Sequence, residues 1–269
     1  MTDYRITCVI LDWAGTTVDF GCRAPVAAFT RTLAEAGIAI DEAAVRGPMG
    51  LEKRDHLCAL LNLPAVNEQW HRRHGTAPDT TALDALYARF REIQLDVLDD
   101  HADPVPGLNG AIAALRATGL RIGSNSGYDR AMMRIVATAA ARAGYAPDAV
   151  VASDEVARGR PFPDIAWRVA VALGAPAARC CAKVDDTPTG IAEGVNAGMW
   201  SIGVTDSGNE VGLSAAEWAA LPAQEAAALR ARAARRLHDA GAHLVIDSIA
   251  GLPAAIAALD ARLAVGERP

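Results

Sequence analysis

Apolar runs recur along the chain with helix-length segments between them. Residues 6–12 (Ile-Thr-Cys-Val-Ile-Leu-Asp) are almost continuously apolar and end on an acid, the pattern of a strand buried on both faces of a parallel sheet. Similar runs occupy residues 120–124, 149–153, 180–186, 199–204 and 243–247. Between them, residues 131–143, 163–173 and 189–197 place apolar side chains at helical spacing and are bounded by Gly and Pro. Strands alternating with helices of this length predict an α/β fold, a Rossmann-like parallel sheet covered on both faces.

One interval breaks the alternation. From about residue 22 to 103 the pattern is helical throughout, at 25–36, 50–61, a polar stretch around 70–74, and 81–99. This predicts an all-helical insertion between the first and second strands, returned through a stiff linker at 103–107 (Asp-Pro-Val-Pro-Gly). The expected division is a core of residues 1–21 and 104–269 and an inserted helical domain of residues 22–103. An Ala- and Arg-rich stretch at 223–238 reads as a solvated amphipathic helix.

Composition narrows the function. At 269 residues, 51% hydrophobic and 22% charged, the chain can bury a sizeable core, which excludes a disordered or disulfide-stapled protein. A net charge of -6 argues against nucleic acid or an anionic membrane as partner and for a small molecule. The five cysteines show no CxxC spacing, so neither a disulfide framework nor a zinc knuckle is expected, and Cys180 and Cys181 read as core thiols. With no leader-like start and no run near the ~18 apolar residues of a membrane span, a cytoplasmic location is expected.

The cations are lopsided. Of 26 Lys and Arg residues, only Lys53 and Lys183 are lysines. Lysine can do what arginine cannot, which is to lose its proton when desolvated and attack a carbonyl.

In open parallel sheets, ligands bind outside the carboxyl ends of the strands. Those ends carry Asp12 after the first strand, Ser124-Asn125-Ser126-Gly127 after the second, Arg160 in the loop following the third, and Asp185-Asp186 at the fourth. Asp12 can attack phosphorus as a carboxylate nucleophile, and the turn at residues 13–17 can offer amides to phosphate oxygens. Asp186, with Asp185 as alternative, suits a hard cation such as Mg2+. Ser126 can hydrogen-bond a phosphoryl oxygen and Arg160 can bind it and stabilise transition-state charge. Each residue alone has a bland reading, since a strand-end Asp is commonly a helix cap; their order along one chain is the specific signal.

The series Asp-x-Ala-Gly-Thr-Thr (residues 12–17), Ser-Asn-Ser-Gly (124–127), Gly-Arg-Pro-x-Pro (159–163) and Val-Asp-Asp (184–186) resembles the four signature loops of the haloacid dehalogenase superfamily. The helical insertion resembles its type 1 cap, and the likeness covers essentially the whole chain. It implies an aspartyl-phosphate intermediate and a Mg2+ bound by Asp12, the backbone carbonyl of Ala14, and Asp186. Phosphatases of that superfamily carry a second Asp two residues after the nucleophile to protonate the departing oxygen. Here the position is Ala14, and Gly190 stands where some members place a further acid near the metal, which brings Asp185 forward as a participant.

The insertion offers a different chemistry. Residues 46–56 are expected to open a helix with Gly50, Lys53 and His56 on one face, so that Lys53 projects toward the core. A lysine amine condenses with an aldehyde, and the protonated imine is an electron sink for a carbanion forming beside it. A carbon-phosphorus bond could then break without an acid at position 14.

Residues 12–22 (Asp-Trp-Ala-Gly-Thr-Thr-Val-Asp-Phe-Gly-Cys) with Met-Gly-x-x-Lys at 49–53 resemble the phosphonatase family within that superfamily. The resemblance implies a Mg2+-dependent homodimer that converts phosphonoacetaldehyde and water to acetaldehyde and phosphate during 2-aminoethylphosphonate degradation. It also implies a Schiff base on Lys53 and a site lined or supported by Cys22, Met49, His56 and Tyr128, whereas Lys183 reads as structural. Two alternatives are a phosphomonoesterase or sugar-phosphate mutase of the same superfamily, which Ala14 and Lys53 oppose, and a non-catalytic phosphate-binding protein, which Asp12, Arg160 and Asp186 oppose. No Gly-x-Gly-x-x-Gly links a strand to a helix, so a dinucleotide-binding oxidoreductase is set aside.

Overall fold

The computed structural model describes residues 4–269; residues 1–3 of the expected core lie outside the described residues. The first apolar run forms β1 (Cys8–Leu11), with every residue buried. Five helices follow without a strand of their own: α1 (Arg23–Glu35), α2 (Glu42–Arg46), α3 (Lys53–Leu61), α4 (Pro64–His74) and α5 (Thr80–Val97). The chain then continues as α6 (Leu108–Ala117), β2 (Arg121–Asn125), α7 (Arg130–Arg142), β3 (Ala149–Val151), α8 (Asp164–Ala172) and β4 (Cys181–Asp185). It ends as α9 (Pro188–Asn196), β5 (Trp200–Val204), α10 (Ala215–Ala220), α11 (Ala223–Asp239), β6 (Leu244–Ile246) and α12 (Leu252–Ala264).

The six strands form one sheet in the order β3-β2-β1-β4-β5-β6. Every pairing is parallel. The first strand is central, and Leu11 stands opposite Ser124 of β2 and Val184 of β4. That register brings the residues following β1, β2 and β4 to one edge of the sheet, where a doubly wound fold binds its ligand.

The inserted helices pack on one another and on that edge. Phe29 of α1 stacks on Phe90 of α5 with centroids 4.2 Å apart. Side-chain acids cap three of the five helices: Asp41 accepts from Ala44 N, Glu52 from Arg54 N and Asp55 N, and Asp79 from Ala82 N. Both crossings between insertion and sheet are tied down. Asp19 accepts from the Arg23 and Ala24 amides at 3.0 Å each, and Val105 N of the return linker donates to Thr17 O at 2.9 Å. Arg46 bonds the carbonyls of Gly21 and Gly212 at 2.8 and 2.9 Å, and Arg91 pairs with Asp129, the N-cap of α7, at 2.7 Å.

The structure departs from the sequence pattern in two ways. Helix α3 begins at Lys53, not at residue 50, because Gly50 has φ +93 and Glu52 takes the capping position; Gly50 is therefore not on the helical face with Lys53 and His56. Helices α6 and α12 are not among the predicted segments; in α12 the Ala-rich sequence gives the apolar stripe little contrast. The expected solvated helix at 223–238 is α11, which buries Ala233 and Leu237. Cys180 and Cys181 are buried free thiols, as expected. Among the described residues, no helix is long and apolar enough to cross a membrane.

Candidate active site

The loop after β1 is a tight cage of backbone bonds. The Trp13 carbonyl accepts the amides of Thr16, Thr17 and Val18, and Asp12 N donates to Val184 O at 3.0 Å, pinning the acid to the end of β4. Gly15 has φ +88, and a Cβ there would run into Cys22 Sγ and the Asp186 carboxylate, so only glycine fits. The Asp12 side chain accepts from Arg160 Nη2 at 2.7 Å. Burial, with Asp185 nearby, raises its pKa above the usual carboxylate range against the pull of Arg160 and Lys183.

Asp12, Asp185 and Asp186 present carboxylate oxygens within 4.8 Å of one another and could hold a metal ion. The two adjacent acids differ. Asp185 is fully engaged, with Thr187 N and Oγ1 on one oxygen at 3.0 and 2.8 Å and Lys183 Nζ on the other at 2.5 Å. Burial works against its charge, but Lys183 and Arg160 outweigh it and hold the carboxyl below its ordinary range. Among the described residues, no cation pairs with Asp186. It accepts from Thr16 Oγ1 at 2.7 Å and Asn209 N at 2.8 Å, and burial with the Asp185 and Asp12 charges pushes its pKa up to about 8. Gly190 cannot carry the further acid, because a Cβ there would occupy the space of the Asp185 carboxylate.

The charge balance bears on a metal. Asp12, Asp185 and Glu193 each pair with Arg160 or Lys183, whereas Asp186 forms no ion pair among the described residues. A buried carboxylate without a cation is costly to ionise, and a divalent cation held by Asp12 and Asp186 would supply the missing charge. The donor set therefore fits a hard divalent ion.

On the insertion side, Lys53 is 5% exposed and opens α3. Its Nζ lies 5.0 Å from the ring centroid of Tyr128 and 5.8 Å from that of Phe29. Burial lowers its pKa, opposed by the Asp12 charge, and a helix N-terminus further disfavours a cation. His56, one turn on, is wholly buried and stacks on Phe29 at 3.9 Å. Its Nε2 lies 2.8 Å from Val45 O and Nδ1 has no partner. Burial, then the Lys53 charge, push its pKa down to about 3, so the ring is neutral, with Nε2–H donating and Nδ1 carrying a free lone pair.

Insertion and sheet meet over a cavity of about 20 Å³ lined by Asp12, Ala14, Ser126 and Arg160 from the sheet side and Cys22, Met49, Gly50 and Lys53 from the other. The close approach depends on glycine: a Cβ at Gly50 would lie 2.5 Å from Thr187 Oγ1, and one at Gly127 would lie 2.6 Å from Leu51 O. Ser126 Oγ accepts from Tyr128 N at 3.1 Å, leaving its proton free to donate inward. The Tyr128 hydroxyl has no partner, and burial raises its pKa well above the ordinary value. Cys22 is likewise held as a thiol by burial and by Asp186, and donates to Ala14 O at 3.0 Å. Larger depressions, about 820 Å³ beside α7 and about 410 Å³ beside the return linker, contain none of these groups.

Sequence motifs pointed to every one of these cavity residues. They did not point to Glu193 or Asn209, which hold the site from behind, or to Thr187, which also lines the cavity, while Asn125 and Thr16 lie within the signature loops. Lys183 is placed in β4 away from the cavity, as read from sequence, but it pairs with Asp185 and thus belongs to the same charge network.

A profile of haloacid dehalogenase-like hydrolases matches residues 6–198, which defines the class. A phosphonoacetaldehyde hydrolase from Salmonella agona is 48% identical over 98% of this chain and 99% of that protein. One from Hahella chejuensis is 44% identical over 98% of this chain and 90% of its own length. The crystal structure of a phosphonoacetaldehyde hydrolase-like protein from Oleispira antarctica superposes with a TM-score of 0.96 at 42% identity, covering 99% of this chain and 96% of that one. The chain belongs to the haloacid dehalogenase-like hydrolases, in the family of the phosphonoacetaldehyde hydrolases.

Proposed function

We propose that this enzyme cleaves the carbon-phosphorus bond of phosphonoacetaldehyde to give acetaldehyde and phosphate, in the breakdown of 2-aminoethylphosphonate. The observation that carries the proposal is a desolvated lysine amine and a carboxylate at a strand end facing one cavity, with Ala14 where a leaving-group acid would be needed.

The Lys53 amine adds to the aldehyde carbon, and loss of water leaves a protonated imine. The neutral His56 and the Tyr128 hydroxyl flank this step and keep the amine in an apolar setting. Asp12 then attacks phosphorus; the C–P electron pair moves into the enamine, and Arg160 and Ser126 hold the phosphoryl oxygens. Protonation of the enamine carbon and hydrolysis of the imine release acetaldehyde and restore Lys53. Water cleaves the aspartyl phosphate. Mg2+ bound by Asp12, the Ala14 carbonyl and Asp186 would screen the repulsion between carboxylate and phosphonate. Asp185, with both oxygens occupied, serves as a neighbour of that set instead of a direct ligand.

Residues 22–103 act as a cap over a core of residues 1–21 and 104–269. A cavity of about 20 Å³ has room for about one water, so the cap loop at residues 48–52 must lift to admit substrate. The molecule is proposed to be a homodimer, supported by the exposure of Phe162 (48%), Trp167 (46%) and Val171 (79%) around α8. Free cysteines fit a cytoplasmic setting.

The test is to supply the purified enzyme with phosphonoacetaldehyde or a simple phosphomonoester. Equimolar acetaldehyde and phosphate from the former, abolished in Asp12→Asn, is the expected result. Faster turnover of the ester would favour the esterase reading, and wild-type rates in Asp12→Asn would remove the aspartyl-phosphate step.

A further inference from the structure

Glu193 is wholly buried, and two of its partners, Arg160 and Asn125, belong to the site. One oxygen accepts from Arg160 Nε at 2.9 Å, with Lys183 Nζ at 3.7 Å. The other accepts from Asn125 Nδ2 at 2.8 Å and from Ala166 N at 3.1 Å. Asn125 in turn returns its Oδ1 to Arg160 Nη2 at 2.8 Å, the same nitrogen that reaches Asp12 at 2.7 Å. The guanidinium is thereby fixed from two sides: Glu193 takes the Nε edge while Asn125 and Asp12 share Nη2. A flexible side chain with many rotamers is left one orientation, which is what a group binding a transferring phosphoryl requires.

The helix is built to deliver this acid. Glu193 lies on α9 between Gly190 and Gly194, and both glycines face β4. A Cβ at Gly194 would lie 2.9 Å from Lys183 Cβ, and one at Gly190 would strike Asp185. Without those side chains α9 lies close enough to the sheet for Glu193 to reach across to the loop after β3. An apolar residue would fill the same space without the desolvation cost of a carboxylate, so fold stability alone does not account for an acid there.

We propose that Glu193 is a positioning residue that aims Arg160 at the phosphoryl group, the guanidinium being its nearest cation while Lys183 lies farther off, paired with Asp185. The inference rests on the reading above, in which Arg160 binds that group.

The experiment compares parent, Glu193→Gln, Glu193→Met, Arg160→Gln and the Glu193→Gln/Arg160→Gln double variant, with melting temperatures to confirm that each folds; methionine fills the glutamate's volume without its charge or its hydrogen bonds. Steady-state kinetics with phosphonoacetaldehyde and borohydride trapping at Lys53 are read for each. Glu193→Gln is expected to lower kcat by about 10- to 100-fold, the scale of losing an orienting partner, with the Lys53 adduct undiminished because imine formation does not need Arg160. Glu193→Met should show the same loss. The double with Arg160→Gln should be no slower than Arg160→Gln alone, since Glu193 acts through that residue. Parental kcat in either Glu193 variant, or losses that multiply in the double, overturns the proposal. A parental rate in Arg160→Gln overturns the reading beneath it, and the proposal with it.

Discussion

Lys53 and Lys183 are both buried, yet they occupy opposite electrostatic settings. Lys183 Nζ lies 2.5 Å from Asp185 and 3.7 Å from Glu193, so its charge is matched. Lys53 faces the rings of Tyr128 and Phe29 at 5.0 and 5.8 Å and forms no ion pair among the described residues. The same residue type is thus ion-paired in the sheet and discouraged from carrying a charge at the cap. That difference separates a structural lysine from one suited to attack a carbonyl.

Substitution of Lys53 by arginine keeps a cation of similar length but removes the nucleophile. The Lys53→Arg variant should fold, judged by circular dichroism, and lose kcat by at least about a thousandfold, the scale of deleting a covalent catalyst. Residual turnover within tenfold of the parent would make the lysine a binding group only.

The buried Asp186 carboxyl, which forms no ion pair among the described residues, predicts a metal-dependent stability. At Mg2+ about 100-fold above its dissociation constant, binding contributes about 2.7 kcal/mol, which for a chain of this size raises Tm by about 5–10 °C. Differential scanning fluorimetry with Mg2+ and with EDTA should show that gap, and Asp186→Asn should lose it.

Gly50 joins the cap loop to the core at a positive φ of +93 and within reach of Thr187. Gly50→Ala should therefore lower kcat/KM by about tenfold or more through displacement of the loop that carries Met49, with a stability cost of about 1–2 kcal/mol from the left-handed backbone. Kinetics and urea unfolding measure the two effects separately.

His56 gives a pH dependence with a definite sign. Its pKa falls from the usual 6.5 to about 3 in the folded chain. Between those values the unfolded chain binds the extra proton, so stability is lost as pH falls below about 6.5, by at most ~1.4 kcal/mol per pH unit. Asp19, raised to about 6 mainly by burial, works the other way, gaining stability as pH falls. The His56→Gln variant keeps the Asp19 contribution and removes the His56 one. Its unfolding free energy from pH 7 to 4 should therefore decline less steeply than the parent's.

The sheet was legible because its strands are buried on both faces and read as unbroken apolar runs, and strand order then placed Asp12, Ser126 and Asp186 together. Lys53 stood out through scarcity and through the missing acid at position 14. Glu193 left no such trace, since a single acid on a helix ordinarily means a solvated face; only the flanking glycines at 190 and 194 mark the side turned to the sheet. Gly50 misled for the opposite reason. Its spacing from Lys53 and His56 fits a helix, but Glu52 caps at that point and the glycine serves the turn before it.

The central claim is that the carbonyl substrate becomes covalently joined to Lys53. Its most direct test is borohydride reduction during turnover of phosphonoacetaldehyde, followed by peptide mass spectrometry. The structure predicts inactivation that depends on substrate and a reduced two-carbon adduct on Lys53 alone. An adduct on another residue, or continued turnover with Lys53 unmodified, would contradict it.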